Sequence, residues 1–170
     1  MCLDTSKEGF FRGHRLFEFP KHRAFVEASF PAAAGAPRWR IPFSHHPPFS
    51  AGPRHHNTPE MTELIPLFQR AGVKAVFSGH EHNFQHSQVD GIDYFVSGAA
   101  GKFRTREPNR FREAHTKSWS AQCHFLLVRV DGDRMVVRAI GEPSEAAGLN
   151  DIVRLDPEGQ TIIGPLEVRV

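Results

Sequence analysis

Val73-Lys74-Ala75-Val76-Phe77-Ser78-Gly79-His80-Glu81-His82-Asn83 decides the fold. Its first half is β-branched and aromatic, short enough for a buried strand, and it stops at a glycine that lets the backbone turn sharply. A histidine-bearing loop then leaves the strand's C-terminal end, where ligand sites in open α/β sheets are found. On its N-terminal side, Thr58-Pro59-Glu60 reads as an N-cap, an N1 proline and a first-turn acid. Met61, Leu64, Ile65 and Phe68 follow at i, i+3, i+4, i+7, which predicts a helix kinked or split at Pro66 and ended by Gly72. Helix, strand and ligand loop in that order indicate an α/β protein.

The pattern extends outward. Residues 1–5 suit a short buried strand, with a glycine-bearing loop through Gly9 and Gly13 after it. Phe25, Val26, Ser29 and Phe30 suit one face of a helix from Pro20, closed by Pro31 and an Ala-rich stretch at 32–36. Trp39–Ser44 reads as a strand with Pro42 at an edge or bulge. Ile92–Ser97 predicts a strand, Gly98-Ala99-Ala100-Gly101 a tight turn, and the basic segment 102–118 a loop. Cys123–Val130 and Arg134–Ile140 predict strands around the hairpin signal Asp131-Gly132-Asp133. A terminal hairpin is expected from Ile152–Leu155 and Ile162–Val170, turned at Asp156-Pro157-Glu158-Gly159. The expected division is residues 1–141 as one domain portion and 142–170 as a short β-rich extension.

Composition narrows the function classes. The chain has 170 residues, with 21 Lys+Arg against 19 Asp+Glu, a balance too even and too scattered to argue nucleic-acid binding. Its apolar runs are far shorter than the ~20 residues of a membrane span. Cys2 and Cys123 form no metal or redox spacing and leave the compartment open. Seven of the eleven histidines, however, lie between His45 and His86. Imidazole is the commonest ligand for Zn, Fe and Mn-type ions, and histidines after separate strands can converge on one ion.

The second histidine group is Phe43-Ser44-His45-His46-Pro47-Pro48-Phe49, again at the end of an expected strand. An H-H-P loop, a helix, a strand, G-H-E-H-N, another strand and S-G-A-A-G together resemble the C-terminal half of the calcineurin-like metallophosphoesterases, closest in flavour to the purple acid phosphatases. The resemblance covers residues 1–140 in layout, with its motifs in 39–103. It implies the second half of a four-layer αββα sandwich with a mixed sheet, and phosphomonoester hydrolysis in which two divalent or trivalent ions (Fe, Zn or Mn) present a metal-bound hydroxide to phosphorus. Carried over by position, His45 and His80 are ligands of one metal and His82 of the other, and His46, His55 and His56 are candidates for holding substrate phosphate. His55 and His56 are not distinguished from each other. Glu81 reads equally as a carboxylate that orients an imidazole and as a solvated loop residue.

The chain also departs from the family. The aspartate pair, the G-D-x-x-Y bridging aspartate and the G-N-H-D/E asparagine of the family's first three motifs have no counterpart here. Gly132-Asp133 lies in a hairpin turn and cannot replace them. Met1-Cys2-Leu3-Asp4-Thr5-Ser6 resembles the strand that follows the third motif, so a truncated chain is expected, with an unpaired sheet edge and exposed apolar surface. The substrate expected is a phosphorylated small molecule or phosphoprotein, and a dimer or a complementing chain is a further expectation. The competing reading is a catalytically inactive fragment or single-metal binding module that needs another chain. A metallo-β-lactamase-type site is disfavoured, because Asn83-Phe84-Gln85-His86 stands where D-H follows H-x-H in that class.

Overall fold

The computed structural model describes residues 1–5, 19–30, 37–102, 104, 106–142 and 149–170. In chain order the elements are β1 (Cys2–Leu3), α1 (Phe19–Ser29), β2 (Phe43–Ser44), α2 (Pro59–Thr62), α3 (Ile65–Arg70), β3 (Ala75–Ser78), β4 (Phe84–Val89), β5 (Ile92–Ser97), β6 (Thr116–Ser120), β7 (Phe125–Asp131), β8 (Arg134–Ile140), β9 (Arg154–Leu155), β10 (Thr161–Ile162) and β11 (Leu166–Arg169). Eight strands form a mixed sheet in the order β1-β2-β3-β5-β4-β6-β9-β10. The run β1-β2-β3-β5 is parallel, and the remaining pairings are antiparallel. A second, antiparallel sheet is ordered β11-β8-β7.

Alternation of side chains builds two cores from one sheet. Val76 and Tyr94, paired in register on β3 and β5, pack with Met61, Leu64, Leu67 and Phe68 of the α2–α3 segment and with Val26 of α1. Their neighbours Phe77 and Phe95 pack with Met135, Val137, Ala139 and Val168 of the second sheet. The described residues thus form a helix layer, the eight-stranded sheet and the three-stranded sheet. Each large apolar side chain buried in these cores contributes about 1.5–3 kcal/mol. An aromatic row crosses four strands on the inter-sheet face: Phe43, Phe77, Phe95 and His86 stack at centroid spacings of 5.6, 5.0 and 5.1 Å.

Several expectations changed in detail for local physical reasons. The helix after Thr58 is split at Glu63–Leu64, and Pro66 occupies the first turn of α3, where its missing N–H costs nothing. Thr58 has an extended backbone but makes no side-chain cap bond. Gly72 ends the segment at φ +70°, with the Val73 N–H donating to the Phe68 carbonyl at 3.0 Å. The strand expected over 39–44 is reduced to Phe43–Ser44. The basic loop expected to 118 gives way at Thr116 to β6, and β4 is an additional strand. In the tail, β9 and β10 form a hairpin on the main sheet, while β11 pairs with β8 of the other. Gly9, Gly13 and the stretch 32–36 lie outside the described residues.

Exposed apolar surface is present at the sheet margins. Phe125, Leu127, Val128 and Val130 of β7, which ends the second sheet, are all exposed, as is Phe43 of β2. No helix among the described residues is long and apolar enough to cross a membrane.

Candidate functional site

The parallel part of the sheet gathers the site. Each of β1, β2 and β3 delivers a polar residue just past its C-terminal end: Thr5, then His45 and His46, then His80. Registers Leu3–Ser44 and Ser44–Ser78 bring these exits to one rim. The Ser44 and Ser78 hydroxyls lie 3.1 Å apart beneath it, and the Gly79 N–H donates to the His45 carbonyl at 3.1 Å. His80 has a left-handed backbone, φ +70°, a conformation that costs a non-glycine residue about 1–2 kcal/mol and concentrates at functional sites.

Four imidazoles meet on this rim. Nε2 of His45 and Nδ1 of His80 are 3.0 Å apart. The His46 ring lies 4.2 Å and the His55 ring 3.7 Å from that of His80, centroid to centroid. Ring nitrogens of His45, His46 and His80 all fall within 4.8 Å of one another. Thr5 Oγ1 accepts from the His46 N–H at 2.9 Å and lies 3.1 Å from His46 Nδ1, which steers that ring.

Burial disfavours the charged form of His46, His55 and His80. Burial, followed by the neighbouring charges of His46, His55, His45 and His82, pushes His80 down to about 3. Burial is the leading cause of the lowered values at His46 and His55 as well. His82 is lowered by burial and then by the cations Arg104 and Lys102, and its Nδ1 is buried with no hydrogen-bond partner. Ring nitrogens that converge in this way, and an orphaned ring nitrogen beside them, fit the donor chemistry of a Zn, Fe or Mn-type ion.

Of the six histidines singled out from sequence, His45, His46, His55 and His80 come together. His82 is near enough for its charge to bear on His80 and His55, and His56 is exposed. His46, expected at the phosphate, sits among the convergent nitrogens with His45 and His80, while His82, expected at a second ion, is not one of those three. Among the described residues no carboxylate joins the three convergent donors. The sequence reading missed Thr5 and Arg104. Arg104 Nε donates to Glu81 at 2.7 Å, and its charge reaches both His55 and His82. Nothing in the pattern around Arg104 separated it from the other cations of that basic segment.

A family model described as calcineurin-like phosphoesterase matches residues 5–84. The serine/threonine-protein phosphatase CPPED1 of Danio rerio is 34% identical over 109 residues, which is 59% of this chain and 35% of the relative. The chain therefore spans about a third of the length of the curated relative it matches. By structure it is similar to GAP50, the anchor in the inner membrane complex of Plasmodium, with a TM-score of 0.66 at 14% identity over 99% of this chain and 48% of the other. It is also similar to the purple acid phosphatase PPD1 of yellow lupin, Lupinus luteus, with a TM-score of 0.61 at 14% identity over 99% of this chain and 30% of the other. At these identities the two structures speak for the fold alone.

Proposed function

With the chain taken as one of the calcineurin-like metallophosphoesterase superfamily by its sequence and fold matches, we propose that it carries the histidine side of a metal-dependent phosphoesterase site hydrolysing phosphomonoesters. The observation that carries this reading is the convergence of His45, His46 and His80 nitrogens at the C-terminal rim of parallel strands. His45 and His80 hold one ion, with His46 beside them, and His82 serves a second. Ions bound there supply Lewis-acid stabilisation of the phosphoryl oxygens and a water nucleophile at neutral pH. The chain's own residues do the rest. His55 lines the rim against His80, and Arg54, Lys102 and Arg104 give it the positive potential that an incoming phosphate ester needs. The serine/threonine-protein phosphatase named among the relatives favours a phosphoprotein over a phosphorylated small molecule as substrate.

The native protein, assayed on p-nitrophenyl phosphate and on the corresponding diester, tests this. We expect turnover of the monoester that a chelator abolishes, that Zn, Mn or Fe restores, and that His80→Ala reduces at least 100-fold. Turnover unchanged by both chelator and His80→Ala would overturn the proposal. The all-nitrogen donor set favours one second reading, a single-ion binding module completed by another chain. Metal analysis separates the two, since one ion per chain without turnover supports the binder and two ions with turnover support the enzyme.

A further inference from the structure

Glu81 has no exposed surface, although it sits between two partly exposed histidines of the loop that leaves β3. A carboxylate withdrawn from water is costly unless it is answered by donors, and three donors answer this one. Arg104 Nε donates to Oε1 at 2.7 Å, the His55 backbone N–H donates to Oε2 at 2.9 Å, and the His82 backbone N–H reaches Oε1 at 3.2 Å. Arg104 closes the circuit by donating its own backbone N–H to the His82 carbonyl at 2.9 Å. Space for this arrangement is left by two glycines. A Cβ on Gly52 would fall inside 3.0 Å of the Glu81 side chain, and one on Gly98 inside 3.0 Å of the Glu81 carbonyl oxygen.

Glu81 therefore contacts the backbone of two histidines separated by 27 positions, one from the loop after β2 and one from the loop after β3. We propose that Glu81 is a positioning residue for the metal site, its carboxylate fixing the separation of the His55 segment from the His80–His82 loop so that the imidazoles are held in place before an ion arrives. The inference rests on the metal reading above for the identity of the ligand, and on the hydrogen bonds alone for the geometry. An ion pair that merely stabilised the fold would change the melting temperature and leave the affinity of the folded protein for metal untouched.

Cobalt(II) is the probe, titrated into the intact protein and followed by its visible absorption, with circular dichroism reporting the folded state. We expect Glu81→Gln, which keeps the shape and removes the charge, to fold, to bind cobalt about 10–100-fold more weakly and to shift the absorption bands. His80→Ala is expected to lose binding. Wild-type affinity and bands in Glu81→Gln, with binding lost in His80→Ala, would overturn this inference and leave the metal reading standing. A wild-type protein that takes up no cobalt, or a His80→Ala variant that binds as wild type, would overturn the metal reading instead. Should Glu81→Gln fail to fold, Arg104→Gln releases the same carboxylate from the other side, and wild-type cobalt binding by that folded variant would equally overturn the inference.

Discussion

Replacing Gly98 by alanine adds one methyl group where the chain leaves β5, and the structure specifies what that group meets. The new Cβ falls inside 3.0 Å of the Glu81 carbonyl oxygen and 3.0 Å from its carbon. Those atoms must retreat by roughly 1 Å to restore an ordinary contact. They are not free to do so. The same oxygen accepts the Asn83 N–H at 2.9 Å, the Glu81 N–H donates to the Gly79 carbonyl at 2.9 Å, and the Gly98 N–H donates to the Asn83 carbonyl at 3.2 Å. Overpacking of this kind costs about 1–3 kcal/mol, and a backbone hydrogen bond lost in the retreat about 1 kcal/mol more. For a chain of this size each kcal/mol lowers the melting temperature by about 2–4 °C, so Gly98→Ala should melt roughly 5–15 °C below wild type. Thermal unfolding followed by circular dichroism measures this directly. Gly101→Ala, in the same Gly-Ala-Ala-Gly turn with nothing within 4 Å of its Cβ, is the control and should stay within about 0.5 kcal/mol of wild type. A Gly98→Ala protein that melts with the control would refute the close-approach argument.

Two further expectations concern stability. Gly72→Ala meets no neighbouring atom, but it places a Cβ at φ +70°, so it should destabilise by about 1–2 kcal/mol in urea unfolding; a neutral effect would show that the helix end relaxes. His124 is buried, which lowers its value, with Nδ1 donating to the Gln122 carbonyl and the Ser97 hydroxyl beside Nε2. The unfolded chain therefore takes up this proton before the folded one does. Stability from this group is complete above about pH 6.5 and is lost as pH falls below it. The slope of unfolding free energy between pH 6.5 and 5 should be shallower in His124→Gln, and identical slopes would refute the assignment.

Legibility in the sequence followed the apolar pattern. Val73–Ser78 and Ile92–Ser97 could be read because both their faces are buried under apolar neighbours. β4 could not, because Gln85, His86 and Ser87 are polar residues buried against partners supplied by the fold. Gln85 accepts the Ala51 N–H and donates to Ser87, and His86 pairs with Asp93 at 2.7 Å. The neglected signal was Asp90-Gly91, a two-residue hairpin turn with φ +51° and +73° between paired Val89 and Ile92. β6 is hidden in the same way by Ser118 and Ser120, both buried. At the site, motif order pointed to His45 and His80, whose ring nitrogens face each other. It could not show that His46, adjacent to His45, joins the same cluster, because that depends on the Thr5 hydroxyl brought alongside by β1.

The strand order also sets a sequence of events in time. β4–β5 and β7–β8 close across turns of two residues, contacts that hairpins make in about 1–10 μs. The pairings under the histidines join Leu3 to Ser44 and Ser44 to Ser78, and such distant pairings must meet the entropy of loop closure before any contact offsets it. The rim is thus expected to be the last part of the sheet to assemble. An ion that binds there arrives at a nearly finished protein, so metal should slow unfolding far more than it speeds folding.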